Sequence, residues 1–573
     1  MLKRKKIIKE EDLSSKDLLA EISRLKKDLK KKKKYGLVWE EKKEDVVEMC
    51  KEKLPILVED KNKAINEAGV DEPINILIEG DNYHALCALN YTHEGKIDVI
   101  YIDPPYNTGN KSWKYNNYFV EKDNAFKHSL WINMMYKRIK SSKKLLTQSG
   151  IILVAIDDYE HQNLRLILDD LFGENNRLGT LVVVHNPGGR SDDEFIATSH
   201  EYLLIYAKKK ENAKINLFNL TTQQEENFKH SDEISSFKLQ SFMRTGSNSR
   251  PDDRPNLFYP IYYNLQEKKL SLKKKNSNFK KIEPIDASGN KRVWRWGKES
   301  FELNKDTEFV VTESKNKFKV KLKKRLNNSS GTKPKTIWND PKYNASTHGT
   351  ILLQNILNEE KPFNFPKSLF SVLDALKIST QKNSIVLDYF AGSGTTGHAV
   401  LELNKNDHGN RKFILVTNNE NNICRNVCYP RLTKVIKGYK NKKNVKVAGI
   451  SGNLKYYNTE FVDAKQSDKN KKILTKKATE MLCIKEDTFD EVRTKNNNFK
   501  IFKNGNKFTG IIYDYMEIKS FIDIISKLDG KLIVYVFSLG GDTFEEEFEE
   551  LGNKVKLSPI PESIMRVYRR VFK

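Results

Sequence analysis

From about residue 74 the chain alternates short apolar runs with amphipathic stretches. INILIEGDN (74–82), KIDVIYIDPPY (96–106), GIILVAIDD (150–158), GTLVVVHNP (179–187) and EYLLIYAKK (201–209) predict strands. SLWINMMYKRIKSSKKLLTQS (129–149) and EHQNLRLILDDLFG (160–173) predict helices. Most of the runs are apolar at successive positions, so both faces are expected to be buried, which predicts a parallel or mixed α/β sheet. Ligands of such sheets sit beyond the carboxyl ends of the strands, where this sequence places Asp81, Asp103 and Asp157.

The alternation stops between about 210 and 345, where arginines, aromatics and turn formers dominate, and resumes with NSIVLDYFAGSGTTGHAVLELNK (383–405) and RKFILVTNNENN (411–422). An insert within a split α/β domain is expected. Upstream, Leu18, Ile22, Leu25 and Leu29 at helical spacing behind a Ser15 cap predict a charged helical arm. Downstream, KLIVYVFS followed by GDTFEEEFEEL predicts a separate C-terminal segment.

Composition narrows the partner. Across 573 residues, 101 Lys and Arg face 76 Asp and Glu, a net charge of +25 that favours a polyanion such as nucleic acid. The five cysteines (50, 87, 424, 428 and 483) form neither CxxC pairs nor a zinc spacing, so no disulfide framework and no metal site is expected. No stretch reaches the roughly 18 apolar residues of a membrane span, and a cytoplasmic protein without membrane contact is expected.

Two motifs carry chemistry. In VLDYFAGSGTTGHAV a strand, a tight glycine turn and a helix opening at Thr395 or Thr396 follow one another. Gly392 and Gly394 allow a close backbone approach, and the helix start favours an anionic group. The loop departs from GxGxxG and lacks GK[ST], so a nucleoside with a small anionic tail, such as S-adenosylmethionine, suits it better. The next strand ends in LVTNNE, where Glu420 is the best candidate to hold a ribose diol, with Asn418 and Asn419 in competition. In IYIDPPYNTGN two prolines stop the strand and hold Asp103 and Tyr106 on a stiff turn.

Asp-Pro-Pro-Tyr resembles motif IV of the amino-group methyltransferases that act on nucleic acid. An exocyclic amine has its lone pair delocalised into the ring, so acceptors for its N–H groups assist attack on an electrophilic methyl. Asp103 and the Pro104 carbonyl suit that role, and Tyr106 suits stacking on a flipped base. EGDN (79–82), DPPYNTGN (103–110), HEYLLIYAK (200–208), FNFPKSL (363–369) and FAGSGTT (390–396) follow in the order of the β class, and the set looks like the Mod subunit of Type III restriction-modification systems. RVWRWGKE (292–299) and KTIWNDPKYNASTHGT (335–350) add to that likeness.

The resemblance implies a Rossmann-like α/β sheet with permuted motif order, an inserted target-recognition domain and α+β terminal extensions. It implies a site-specific DNA adenine-N6 methyltransferase using S-adenosyl-L-methionine, with double-stranded DNA as substrate, a Res helicase-nuclease subunit as partner and a homodimeric state. Cytosine-N4 methylation, a solitary methyltransferase and a non-catalytic specificity subunit stay as alternatives. The implied catalytic residues are Asp103, Pro104, Pro105 and Tyr106, with Asp81, Tyr106 and Asn107 toward the substrate. Those implied for the cofactor are Asp388, Phe390, Ala391, Gly392, Gly394, Thr395 and Glu420, with Lys367 and Ser368 closing over its methionine. Within the insert, Arg244, Arg250, Arg254, Arg292 and Arg295 suit phosphates or guanine edges, and Trp294 or Trp296 suits stacking. The expected divisions are 1–60, a helical arm; 61–210, the catalytic half; 211–345, target recognition; 346–450, the cofactor half; and 451–573, a C-terminal α+β domain.

Overall fold

The computed structural model describes residues 39–572 apart from 70–71, 110–112, 117, 192, 315–316, 329–330, 495 and 543. The predicted helix around Leu18 to Leu29 lies outside the described residues. Two compact units are defined, one running to Asn216 and resuming at Lys335, the other spanning Leu217–Pro334.

The larger unit is built on an eleven-stranded sheet. Its order is Lys53–Glu59, Asn453–Asp463, Ile74–Glu79, Lys412–Thr417, Ile385–Asp388, Ile97–Ile102, Leu146–Ile156, His200–Ala207, Arg177–Val184 and Ile337–Trp338, with Ile65–Asn66 paired to Asn453–Asp463. Neighbours from Asn453–Asp463 to Leu146–Ile156 run parallel. His200–Ala207 turns back antiparallel to both of its neighbours. The central runs are buried throughout, as their unbroken apolar sequences require: Leu77, Ile78, Val99, Ile100, Val386 and Leu387 have essentially no exposure.

From Ile97–Ile102 the chain moves outward to Leu146–Ile156, and from Ile385–Asp388 it moves the other way, to Lys412–Thr417. These two strands are neighbours, so the order reverses between them, and a crevice opens beyond their carboxyl ends. This is a Rossmann-like sheet in which the halves on either side of the insert meet at the switch point.

Two expected divisions are corrected. Lys53–Glu59 and Asn453–Asp463 pair with each other at the sheet edge, so neither residue 60 nor residue 450 bounds a domain. A strand whose partner lies some four hundred positions away leaves no local periodicity to read. The C-terminal segment forms a five-stranded sheet, Asp490–Val492, Phe499–Asn504, Lys507–Ile512, Lys531–Phe537 and Val555–Ile560, in sequence order. Its last helix, Glu562–Val571, packs on Asn82–Thr92, a helix buried from Tyr83 to Thr92. A helix buried on all sides, polar His84 and Asn90 included, needs cover on all sides. Tyr568 supplies part of it by donating to the Pro55 carbonyl.

Candidate active site at the sheet switch point

The acidic turn is fastened from below. Trp131 Nε1 donates to the Pro105 carbonyl at 2.7 Å. Asn107, at φ 59°, takes the left-handed conformation that ends the turn, and its fully buried amide bonds Glu160 Oε1 (2.5 Å), the Lys127 carbonyl (3.2 Å) and Trp113 Nε1 (3.0 Å). Asn107 was expected to touch substrate. Its amide is consumed inside the protein, so it holds the turn instead. Pro104 is buried, and its carbonyl accepts no hydrogen bond among the described residues.

Around Asp103 the structure gathers side chains from its own turn and from two distant segments. Tyr106 donates its hydroxyl to Glu201 Oε2 at 3.0 Å, and Lys367 bonds both Glu201 Oε2 and the Tyr106 hydroxyl. The Lys367 ammonium also lies 3.1 Å from Asp103 Oδ1 and 4.6 Å from the centre of the Tyr106 ring. That Asp103 oxygen is shielded from solvent, and the Lys367 ammonium is the charge that faces it.

Burial pushes the Asp103 carboxyl up, Lys367 opposes this and the Glu201 charge adds to it. Burial would raise Glu201 as well, but Lys367, helped by His185, holds it below its ordinary value. Burial disfavours the Lys367 charge, yet Asp103 and Glu201 together keep its pKa above the ordinary one.

The expectation for Lys367 is therefore corrected: it stands in the acidic pocket and bonds no part of the glycine loop. The neighbouring Ser368 is buried and spends its hydroxyl on the Lys342 carbonyl at 2.8 Å, so it is not free to close over a ligand. Glu201 was missed. The only trace in EYLLIYAKK was an acid heading an otherwise apolar strand.

The glycine loop forms the other wall. Asp388 ends its strand 3 % exposed, accepting from the Phe390 N–H (2.9 Å) and the Thr396 hydroxyl (2.5 Å). Desolvation lifts its carboxyl to about 7. Gly394 has φ 77°, and a Cβ there would meet Cys428 Sγ at 3.0 Å; at Gly392 (φ 48°) it would meet the Phe363 ring at 3.2 Å. Phe363 belongs to FNFPKSL, so that segment covers the loop. Ala391 is tied by its N–H to the Val416 carbonyl (3.1 Å), and helix Thr395–Asp407 opens immediately after the loop.

The Thr395 hydroxyl accepts from the buried Arg431 at 2.8 Å, which leaves its backbone N–H as the group available to a ligand. Glu420 is solvent-accessible beyond its strand and pairs with Lys114 at 3.1 Å. Asp81 caps helix Asn82–Thr92 through the Tyr83 N–H (2.8 Å) and lies 3.7 Å from Arg138, so its carboxylate is engaged in structure as well as partly open. Asp157, buried at the end of Leu146–Ile156, keeps an unbonded Oδ2 and is lifted to about 7 by desolvation.

This crevice suits S-adenosylmethionine. Two left-handed glycines and a helix start can receive its carboxylate, and the acids beside them favour a cationic sulfonium. Among the described residues there is no His, Cys, Asp or Glu cluster fit for a metal, and no helix long and apolar enough to cross a membrane. The five cysteines are all buried and unpaired by disulfides.

The smaller unit has its own core of Phe242, Tyr259, Trp294, Phe301 and Phe309 between a four-stranded and a three-stranded sheet. Trp294 stacks on Phe242 with ring centres 5.1 Å apart and donates to the Tyr259 carbonyl (2.7 Å), so it is core and not a base-stacking wedge. Arg292 is paired with Asp286 at 2.8 Å, and Arg295 bonds the Ser241 carbonyl. Arg250 and Arg254 are exposed.

A strand-end crevice walled by an acidic Pro-Pro turn and a glycine loop defines the class, an α/β protein with a nucleoside-type site at the switch point. The chain belongs to the DNA methylase family, whose match runs over residues 97–427. It is 33 % identical over 394 residues to the Type III restriction-modification enzyme EcoPI Mod subunit of Escherichia phage P1, an alignment covering 64 % of this chain and 60 % of that one. It is 33 % identical over 358 residues to the Type II methyltransferase M.KpnI of Klebsiella pneumoniae, covering 62 % and 83 %. Against the StyLTI Mod subunit of Salmonella typhimurium the figures are 27 % over 364 residues, covering 60 % and 52 %. The chain thus aligns with less than two thirds of the length of both Mod subunits.

Proposed function

We propose that this protein transfers a methyl group from S-adenosylmethionine to adenine N6 within a specific DNA sequence, as the modification subunit of a Type III restriction-modification system. The observation that carries the reading is the partly exposed Asp103 carboxylate at the carboxyl end of its strand, beside a Pro104 carbonyl that accepts no hydrogen bond among the described residues and next to the strand that leads into the glycine loop. The bound cofactor supplies a methyl already activated on a sulfonium.

The protein's work is placement and proton handling. Asp103 and the Pro104 carbonyl would accept the two N–H groups of the amine and so orient its lone pair for attack on a methyl group. Lys367 sits at the hydroxyl end of the Tyr106 ring, and a face of that ring takes the flipped base. The proton in surplus on the methylated amine would pass to the Asp103 carboxylate. Asp in place of Ser before the prolines favours adenine over cytosine.

The unit 217–334 serves target recognition, with Arg250 and Arg254 toward the phosphates. A Res helicase-nuclease subunit and a second copy of the chain complete the assembly. Mass spectrometry of nucleosides from DNA treated with the protein and cofactor tests the chemistry: N6-methyladenine supports it, and N4-methylcytosine or no methylated base refutes it.

A further inference from the structure

The acids of the catalytic crevice share one cation unequally. Lys367 gives close hydrogen bonds to Glu201 Oε2 and the Tyr106 hydroxyl, whereas it stands farther from Asp103 Oδ1, at 3.1 Å. Tyr106 strengthens the bias by donating to the same Glu201 oxygen at 3.0 Å. We propose that Glu201 is a positioning residue that draws Lys367 away from Asp103, and that this competition keeps Asp103 basic enough to take the proton shed by the methylated amine. The inference rests on the methyl-transfer reading above.

A carboxylate bound tightly by an ammonium is a weak proton acceptor and has fewer lone pairs free for an amine. Deep burial with no cation at all would protonate Asp103 before substrate arrived, and a protonated acid cannot take the amine's proton. The geometry lies between these limits: the cation is near enough to oppose burial, but two of its three N–H groups are turned to Glu201 and Tyr106, its closer partners.

The groups facing Asp103 come from each surrounding element. They are Lys367 from the segment before helix Leu369–Ser379, Glu201 from His200–Ala207, Tyr106 from its own turn, Tyr101 from Ile97–Ile102 and Asp388 from the neighbouring strand. Glu201 is faced in turn by His185. Burial and the Glu201 charge push Asp103 up and Lys367 pulls it down, so removing either partner displaces Asp103 in a known direction.

The test compares full-length wild type with Glu201→Gln and Lys367→Met by two readouts. One is single-turnover methyl transfer against pH, and the other is infrared titration of the Asp103 carboxyl, its band identified with Asp103→Asn. Glu201→Gln should release Lys367 to Asp103, moving the acidic limb and the carboxyl titration down by about one to three pH units and slowing the plateau rate. Lys367→Met should move both upward, and Glu201→Asp, which keeps the charge, should restore a limb close to that of the wild type.

Shifts in the same direction in both variants, or limbs that stay in place, overturn the proposal. The infrared titration is run below each variant's melting temperature and needs no turnover. A wild type that transfers no methyl group would therefore refute the functional reading, while opposed Asp103 shifts would still uphold the competition for Lys367.

Discussion

Ile100 and Leu387 stand opposite each other on adjacent parallel strands, although the whole inserted unit separates them in sequence. Asp103 and Asp388 lie just beyond them, close enough for the Asp103 charge to raise the Asp388 carboxyl. That pairing turns two separate motifs into one crevice, and the predictions below follow from it.

Asp103→Ala should lower the single-turnover rate at least about a hundredfold, the usual loss when one preorganised partner of the reacting group is removed. Cofactor affinity, measured by calorimetry, should change far less, because the glycine loop remains. An equal loss of both would show that Asp103 serves binding and not the chemical step.

Gly394→Ala should weaken cofactor binding and lower the melting temperature together. The substitution places a Cβ at φ 77° and 3.0 Å from Cys428 Sγ, and the left-handed conformation alone costs a non-glycine residue about 1–2 kcal/mol. Binding and melting temperature unchanged in Gly394→Ala would show that the loop tolerates another backbone path.

Stability should carry the signature of Asp388. Its carboxyl is raised in the folded protein from an ordinary 3.8 to about 7, so between those values the folded chain holds a proton that the unfolded chain has released. Stability from this group is present below about 4 and falls as the pH rises through 7. Denaturant titrations should show wild type losing stability over that window relative to Asp388→Asn; parallel curves would contradict the assignment.

Deleting residues 562–573 should destabilise the whole larger unit instead of releasing a docking module. Helix Glu562–Val571 buries Ile564, Met565 and Tyr568 against the core, each worth roughly 1.5–3 kcal/mol of burial. A soluble truncation with the wild-type melting temperature would refute this. Any test of partner docking in the C-terminal segment accordingly calls for surface substitutions.

Trp294→Ala should unfold the unit 217–334 rather than merely relax base contacts, since its indole stacks on Phe242 within that core and donates to the Tyr259 carbonyl. The check is protease resistance of the unit with DNA absent: an intact fragment would argue that the indole is dispensable for folding.

The sequence by itself determined the features that local chemistry imposes. Consecutive apolar residues marked Ile97–Ile102 and Ile385–Asp388 as buried strands, the prolines after Asp103 stopped one of them, and Gly392 and Gly394 marked a turn opening a helix at Thr395. Each depends on a dihedral or a burial pattern written within a few residues. Tertiary structure decided whatever depends on who meets whom. It spent the amide of Asn107 and the hydroxyl of Ser368 on internal bonds, placed Lys367 against Asp103, and brought in Glu201, a strand-leading acid with nothing nearby in sequence to distinguish it. It also made edge strands of Lys53–Glu59 and Asn453–Asp463. The role of a polar side chain is set by the partners that compete for it, and those partners come together only when distant segments pack.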